Sequence, residues 1–237
     1  MKEKVVGILG GMGPEATIDL FSRIVQASHA QKDEDHLRII IDNNPKMPSR
    51  QDAILNGTES PGPAMAETAR NLERAGADFI IIGANTAHYF YDDVKNAVHI
   101  PVLHIIEEAV KETIKTVPYI IKAGVLATTA AMKIKLYHRS FEKFGIEIVE
   151  IPDNIQDQIQ KSIFSFKYDG ITNENYQMLN EAAEYLIDNG ANALIMGCTE
   201  IPLILNGKRF SVPVIDPNDV ITKVAVQYAR NQIQIQI

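Results

Sequence analysis

Short runs of Val, Ile and Leu alternate along the chain with longer stretches whose apolar residues recur at helical spacing. A strand covered on both faces is apolar throughout, whereas its covering helix needs only one apolar stripe, so the alternation predicts βα units on a parallel sheet. The predicted strands of the first half are VVGILG (5–10), LRIIID (37–42), ADFIIIG (77–83) and IPVLHI (100–105); those of the second are AGVLAT (123–128), IEIVEI (146–151), ANALIMG (191–197) and VPVIDP (212–217). Pairing Gly7 with Gly124, Leu37 with Ile146, Gly83 with Gly197 and Ile100 with Val212 gives offsets of 117, 109, 114 and 112 residues in one order. Two similar units would be unremarkable in any parallel sheet, but four ordered matches read as a duplication.

The expected fold is therefore α/β: two pseudo-twofold-related, doubly wound (flavodoxin-like) domains, each with a mostly parallel four-stranded sheet. Ligands of such sheets bind at the carboxyl ends of the strands, here expected in a cleft between the domains. The expected boundaries are 1–103 plus a returning segment 212–237 for the first domain and 104–211 for the second. The tail NQIQIQI (231–237) alternates like an edge strand that could pair with another subunit or fray.

Composition narrows the function. A chain of 237 residues with 46% hydrophobic content is long enough for two small cores. The net charge of −7 comes from scattered acids with no Lys/Arg cluster, so no nucleic-acid partner is expected. No run of about 18 apolar residues appears, and MKEKVVGILGG carries a Gly-rich turn where a cleavable leader has its apolar region; no membrane association and a cytoplasmic location are expected. One cysteine rules out an internal disulfide, and six histidines without CxxC or HExxH spacing predict no metal.

That cysteine, Cys198, ends a predicted strand and precedes TEIPLIL, where Pro202 fits the first turn of a helix. The N-terminal end of a helix favours a thiolate, which predicts a lowered pKa and a base or nucleophile. A lone cysteine is also a common inert core residue, but the polar neighbours Thr199 and Glu200 at a strand end favour function. GADFIIIGANTAHYF (76–90) aligns without a gap with GANALIMGCTEIPLI (190–204), which puts Ala84 at the position of Cys198.

GGMGPEAT (10–17) fits a GxGxxG/A dinucleotide turn, yet Asp42 comes 29 residues after Gly13 and Glu15 would crowd a pyrophosphate. Its backbone N–H groups suit a small carboxylate better. DNNPKMPSRQ (42–51), GANTAH (83–88) and ATTAAM (127–132) are polar at other strand ends. Asn85, Thr86, Thr128, Thr129 and Thr199 offer neutral hydrogen bonds to an α-carboxylate and amine, and Arg50 a bidentate grip on a distal carboxylate. Arg50 could equally be a solvated surface residue. Lys167, in SFKYDG, reads as a lone loop lysine, and His88 as a structural residue bonded within its loop.

At these residues the sequence resembles the aspartate/glutamate racemase family, cofactor-independent racemases with two pseudo-symmetric α/β domains. The resemblance covers nearly the whole chain and rests on GILGGMGPEAT, NNPKMPSRQ, ANTAH and GCTEIPLI in family order. It implies one cysteine per domain, in CNTAH and GCTE loops, one thiolate removing the α-proton while the other thiol protonates the opposite face. Cys198 is then the second cysteine, and Ala84, native or introduced, stands where the first should be. The resemblance also implies substrate contacts at Arg50, Asn85, Thr86, Ala87, Lys167 and Thr199, with Met12 nearby, a dicarboxylic amino-acid substrate, no cofactor and a homodimer. Inverting a stereocentre needs an acid and a base on opposite faces, and a methyl group is neither; losing one such group costs about 10²- to 10⁴-fold. Two other readings stay open. Arylmalonate decarboxylases carry a small residue in the first loop and one cysteine in the second, and protonate a carbanion from one side, although GGMGPEAT and Arg50 look like the amino-acid branch. A catalytically dead carboxylate-binding paralogue is the other.

Overall fold

The computed structural model describes residues 2–235. Its eight strands are β1 (Val6–Gly10), β2 (Ile39–Asn43), β3 (Phe79–Ile82), β4 (Val102–Leu103), β5 (Lys122–Leu126), β6 (Glu147–Ile148), β7 (Ala193–Met196) and β8 (Val214–Ile215). Each lies on a predicted run. They form two four-stranded sheets, β2-β1-β3-β4 and β6-β5-β7-β8, with every pairing parallel. The inner strands β1, β3 and β7 are buried at every residue, while the edge strand β2 has no buried position. Burial on both faces is what makes the inner runs continuously apolar.

The chain divides into two compact units, residues 1–105 with 218–237, and residues 106–217. The first packs Leu9, Met65, Leu72, Ile80 and Ile82 into one cluster; the second packs Leu126, Ile159, Leu179, Leu186 and Leu194 into another. Each such buried side chain contributes about 1.5–3 kcal/mol relative to exposure. Because β8 pairs with β7, the chain stays in the second unit as far as Pro217, which moves the expected return at residue 212.

The duplication shows in local detail. Helices Gly62–Arg74 and Asn173–Asp188 lead into Gly76 and Gly190, with φ of 95° and 94°, a left-handed turn that strains any side chain. At mid-strand, a Cβ on Gly7 would lie 2.9 Å from the Ala77 Cβ, and one on Gly124 2.9 Å from the Leu186 Cβ and 3.1 Å from the Ala191 Cβ. A bare backbone at these points lets the chain entering the next inner strand pack closely. Of the tail, residues 231–235 are turn and coil, with Asn231 at φ 57°, and 236–237 lie outside the described residues. Among the described residues no helix is long and apolar enough to cross a membrane.

Gly7→Ala and Gly124→Ala should each cost about 1–3 kcal/mol by overpacking, measured as a lower urea midpoint at unchanged slope.

Candidate active site

The strand ends position the candidate residues. In the first sheet the Gly83 N–H donates to the Leu9 carbonyl (3.0 Å); in the second, the Gly197 N–H donates to the Leu126 carbonyl (2.7 Å). Residues 84 and 198 thus leave equivalent points of two equivalent sheets.

In the first unit, the turn after β1 is held from within. The Gly11 N–H donates to Thr17 Oγ1 (2.9 Å), and Thr17 Oγ1 donates to the Gly13 carbonyl (3.2 Å). That Gly11 donor is already engaged, which weighs against the dinucleotide reading of this turn. Met12 is buried in one cluster with Met47, Ala84, Ala87 and Phe90. The sequence singled out Met12, Ala84 and Ala87, and the fold brings them together. Asn85 is buried and Thr86 half-buried at the start of the 3-10 turn Thr86–Phe90. Arg50, expected in a loop, is instead the half-buried first residue of helix Arg50–Asn56, because Ser49 caps that helix by accepting from the Asp52 N–H (3.2 Å).

His88 ties this loop down. Nδ1 donates to the Ala84 carbonyl (2.9 Å) and Nε2 accepts from the Ile105 N–H (3.2 Å), an arrangement that fits the neutral ring alone. Burial, reinforced by neighbouring His104, pushes the His88 pKa down to about 3. The structural role expected of His88 holds, with a bond to Ile105 beyond its own loop.

In the second unit, Thr128 caps helix Thr129–Lys133, its Oγ1 accepting from the Ala131 N–H (3.3 Å). The Thr129 N–H donates to Gln160 Oε1 (2.8 Å), while Gln156 Nε2 donates to the Ala127 carbonyl (3.0 Å) and Thr129 Oγ1 (3.4 Å). Sequence reasoning missed both glutamines. Their signal was the spacing of Gln156, Gln160 and Lys167, which share one face of a helix. Lys167, expected in a loop, lies in the last turn of helix Asp153–Asp169; the aromatic and polar residues of SFKYDG extend that helix until Gly170 at φ 68° ends it.

Cys198 follows β7, half-buried against the second core. Its thiol donates to Glu200 Oε2 (2.9 Å), and Thr199 Oγ1 donates to the same oxygen (2.9 Å). Lys167 Nζ lies 3.4 Å from the other oxygen, Glu200 Oε1. Glu200 is thus the centre of a cluster that gathers Cys198, Thr199 and Lys167. The predicted lowering of the thiol pKa is corrected: burial first, then the Glu200 carboxylate, push it well above its usual range, with Lys167 opposing. Helix Ile201–Ile204 is a single short turn with little dipole to offer, and a full negative charge outweighs it. The arrangement supplies a proton donor, a carboxylate acceptor and a cation able to meet an anionic ligand. Among the described residues no group of three or more His, Cys, Asp or Glu could hold a metal ion.

Residues 9–225 match the Asp/Glu/hydantoin racemase family. The broad specificity amino-acid racemase RacX of Bacillus subtilis is 28% identical over 227 residues, covering 94% of this chain and 96% of that protein. The aspartate racemase of Picrophilus torridus superposes with a TM-score of 0.81 at 31% identity, over 96% of this chain and 94% of that one. A glutamate racemase of Francisella tularensis, solved with D-glutamate, shares the fold with a TM-score of 0.71 at 21% identity, over 100% and 86% of the two chains.

A neutral His88 makes a pH prediction. Its folded pKa lies below the ordinary value of 6.5, so its contribution is complete above 6.5 and is lost as pH falls from there toward about 3. The loss runs at about 1.4 kcal/mol per pH unit across that window. In acid-dependence of urea unfolding, His88→Gln should be less stable at pH 7.5 and lose stability less steeply below pH 6.5, by about one proton.

Proposed function

The chain belongs to the Asp/Glu/hydantoin racemase family, and on that premise we propose that it binds aspartate or glutamate and moves the α-proton through Cys198 without PLP. The position that would serve the opposite face of the α-carbon is held by Ala84, so two-base racemisation is impaired in the chain as it stands. The observation that carries this reading is the thiol of Cys198, hydrogen-bonded to Glu200 at the end of β7, in the loop equivalent to that of Ala84.

In this reading Arg50 grips the distal carboxylate through its planar fork and Lys167 adds a second cation, which favours a dicarboxylic over a neutral amino acid. Thr128, Thr129, Thr199, Asn85 and Thr86, with the backbone at Ala87, hydrogen-bond the α-carboxylate and amine. Met12 and Ala84 form an apolar wall, which keeps water from a carbanion. The enzyme works as a cytoplasmic homodimer. A second reading, a one-sided decarboxylase of the arylmalonate type, is favoured by one observation: the Cys198 thiol donates a hydrogen bond to Glu200, as a lone acid that carries its proton would.

Chiral chromatography on both enantiomers of aspartate and glutamate, with a substituted malonate alongside, separates these readings. Ala84→Cys should raise racemisation by about 10²- to 10⁴-fold over the chain as it stands, and Cys198→Ser should abolish it. No gain from Ala84→Cys, with CO₂ released from the malonate by the unchanged chain, would instead establish the decarboxylase. Tight binding without turnover by either chain would identify a carboxylate-binding protein.

A further inference from the structure

The Glu200 carboxylate has two different sides. Oε2 receives both the Cys198 thiol and the Thr199 hydroxyl, each at 2.9 Å, while Oε1 faces the Lys167 ammonium at 3.4 Å. Two donors on one oxygen and an ammonium on the other fit an ionised carboxylate. Glu200 is sheltered, with 13% of its side chain exposed, whereas Lys167 is 40% exposed and reaches in from a helix end. Its other neighbour is the Phe164 ring, 5.5 Å from Nζ. The ammonium sits on a flexible stem and is the mobile member of the cluster.

We propose that Lys167 is a transferable counter-ion: Glu200 holds Cys198 as the protonated thiol, and a ligand's distal carboxylate strengthens that hold by drawing Lys167 away from Glu200. With the ammonium in place, the negative charge beside the thiol is partly cancelled. Once the ammonium turns to an arriving carboxylate, Glu200 acts on the thiol uncompensated: less thiolate is present, and that thiolate is a stronger base, which takes the α-proton on its own face and returns it there. A ligand with one carboxylate leaves Lys167 where it is. Recognition of the second carboxylate is thereby coupled to the protonation of the reacting group, before any chemistry at the α-carbon. Glu200 and Lys167 act here as positioning residues. The charged and titratable groups facing the thiol are Glu200 on its own loop, Lys167 on helix Asp153–Asp169, and the buried phenol of Tyr137, which itself feels Asp216 beyond β8. Burial first, then the Asp216 and Cys198 charges, push the phenol's pKa well above its usual range.

The ligand in this proposal is the dicarboxylate of the racemase reading, but the titration that tests it needs no turnover. Cys198 is the only cysteine, so a carbon-13 label at cysteine Cβ gives one resonance whose pH dependence reports the thiol. Glu200→Gln should shift the titration midpoint down, and Lys167→Met should shift it up, with Lys167→Arg restoring it. Lys167→Met should have less effect when added to Glu200→Gln, because its action runs through that carboxylate. Succinate should raise the midpoint in the unchanged chain but not in Lys167→Met, and propionate should do so in neither. A midpoint unmoved by Glu200→Gln, or a succinate effect that survives Lys167→Met, overturns the proposal. If Glu200→Gln fails to fold, as judged by circular dichroism, the Lys167 variants and succinate carry the test alone. If the titrations behave as stated while neither aspartate nor glutamate exchanges its α-proton, the racemase reading fails and the coupling stands.

Discussion

A thiol 2.9 Å from a carboxylate is the contact on which the chemistry of the second unit depends. A cysteine at a strand end beside a polar loop is ordinarily read as a thiolate in waiting, and here burial first, then the Glu200 carboxylate, reverse that. A negative charge beside a thiol stabilises the proton on it, and partial burial removes the water that would soften the repulsion in the ionised state. Cys198 rests as a donor, with its proton already directed at a base. Lys167 pairs with the other oxygen of that carboxylate and is the most accessible charge of the group.

The two units set the same backbone frame around opposite electrostatics. Both inner strand pairs end on a glycine N–H bonded to the neighbouring strand's leucine carbonyl, and residues 84 and 198 follow. Beyond that point the first loop turns inward: Ala84 and Ala87 join an apolar cluster with Met12, and a neutral imidazole takes the Ala84 carbonyl. The second loop gathers a carboxylate, a hydroxyl and an ammonium. A cysteine placed at residue 84 would therefore meet hydrocarbon and an uncharged ring, a setting that also keeps a thiol protonated, though by desolvation rather than by charge.

Much of this was legible in the chain. All eight strands lie on the predicted runs, and the inner strands β1, β3 and β7 are buried at every residue, which makes their runs continuously apolar. The gapless alignment of residues 76–90 with 190–204 put Ala84 at the position equivalent to Cys198, and the equivalent Gly83 and Gly197 bonds bear out that local match. What failed were statements about charge and register. The direction of the thiol pKa depended on how deeply the loop is buried and on where one carboxylate points, neither of which spacing along the chain fixes. Lys167 was read as a loop residue because SFKYDG lacks a strong helical stripe. Gln156 and Gln160 lay unnoticed because uncharged residues on a helix face look like solvated surface until the opposing loop is placed.

The central claim is that one sulfur serves one face of a bound amino acid's α-carbon while a methyl group stands in place of its counterpart. Incubating each enantiomer of aspartate and glutamate with the unchanged chain in heavy water, and following the α-proton by NMR, tests this most directly. The account predicts deuterium entering a single enantiomer with its configuration kept. Equal exchange into both enantiomers, or exchange into neither, would contradict it.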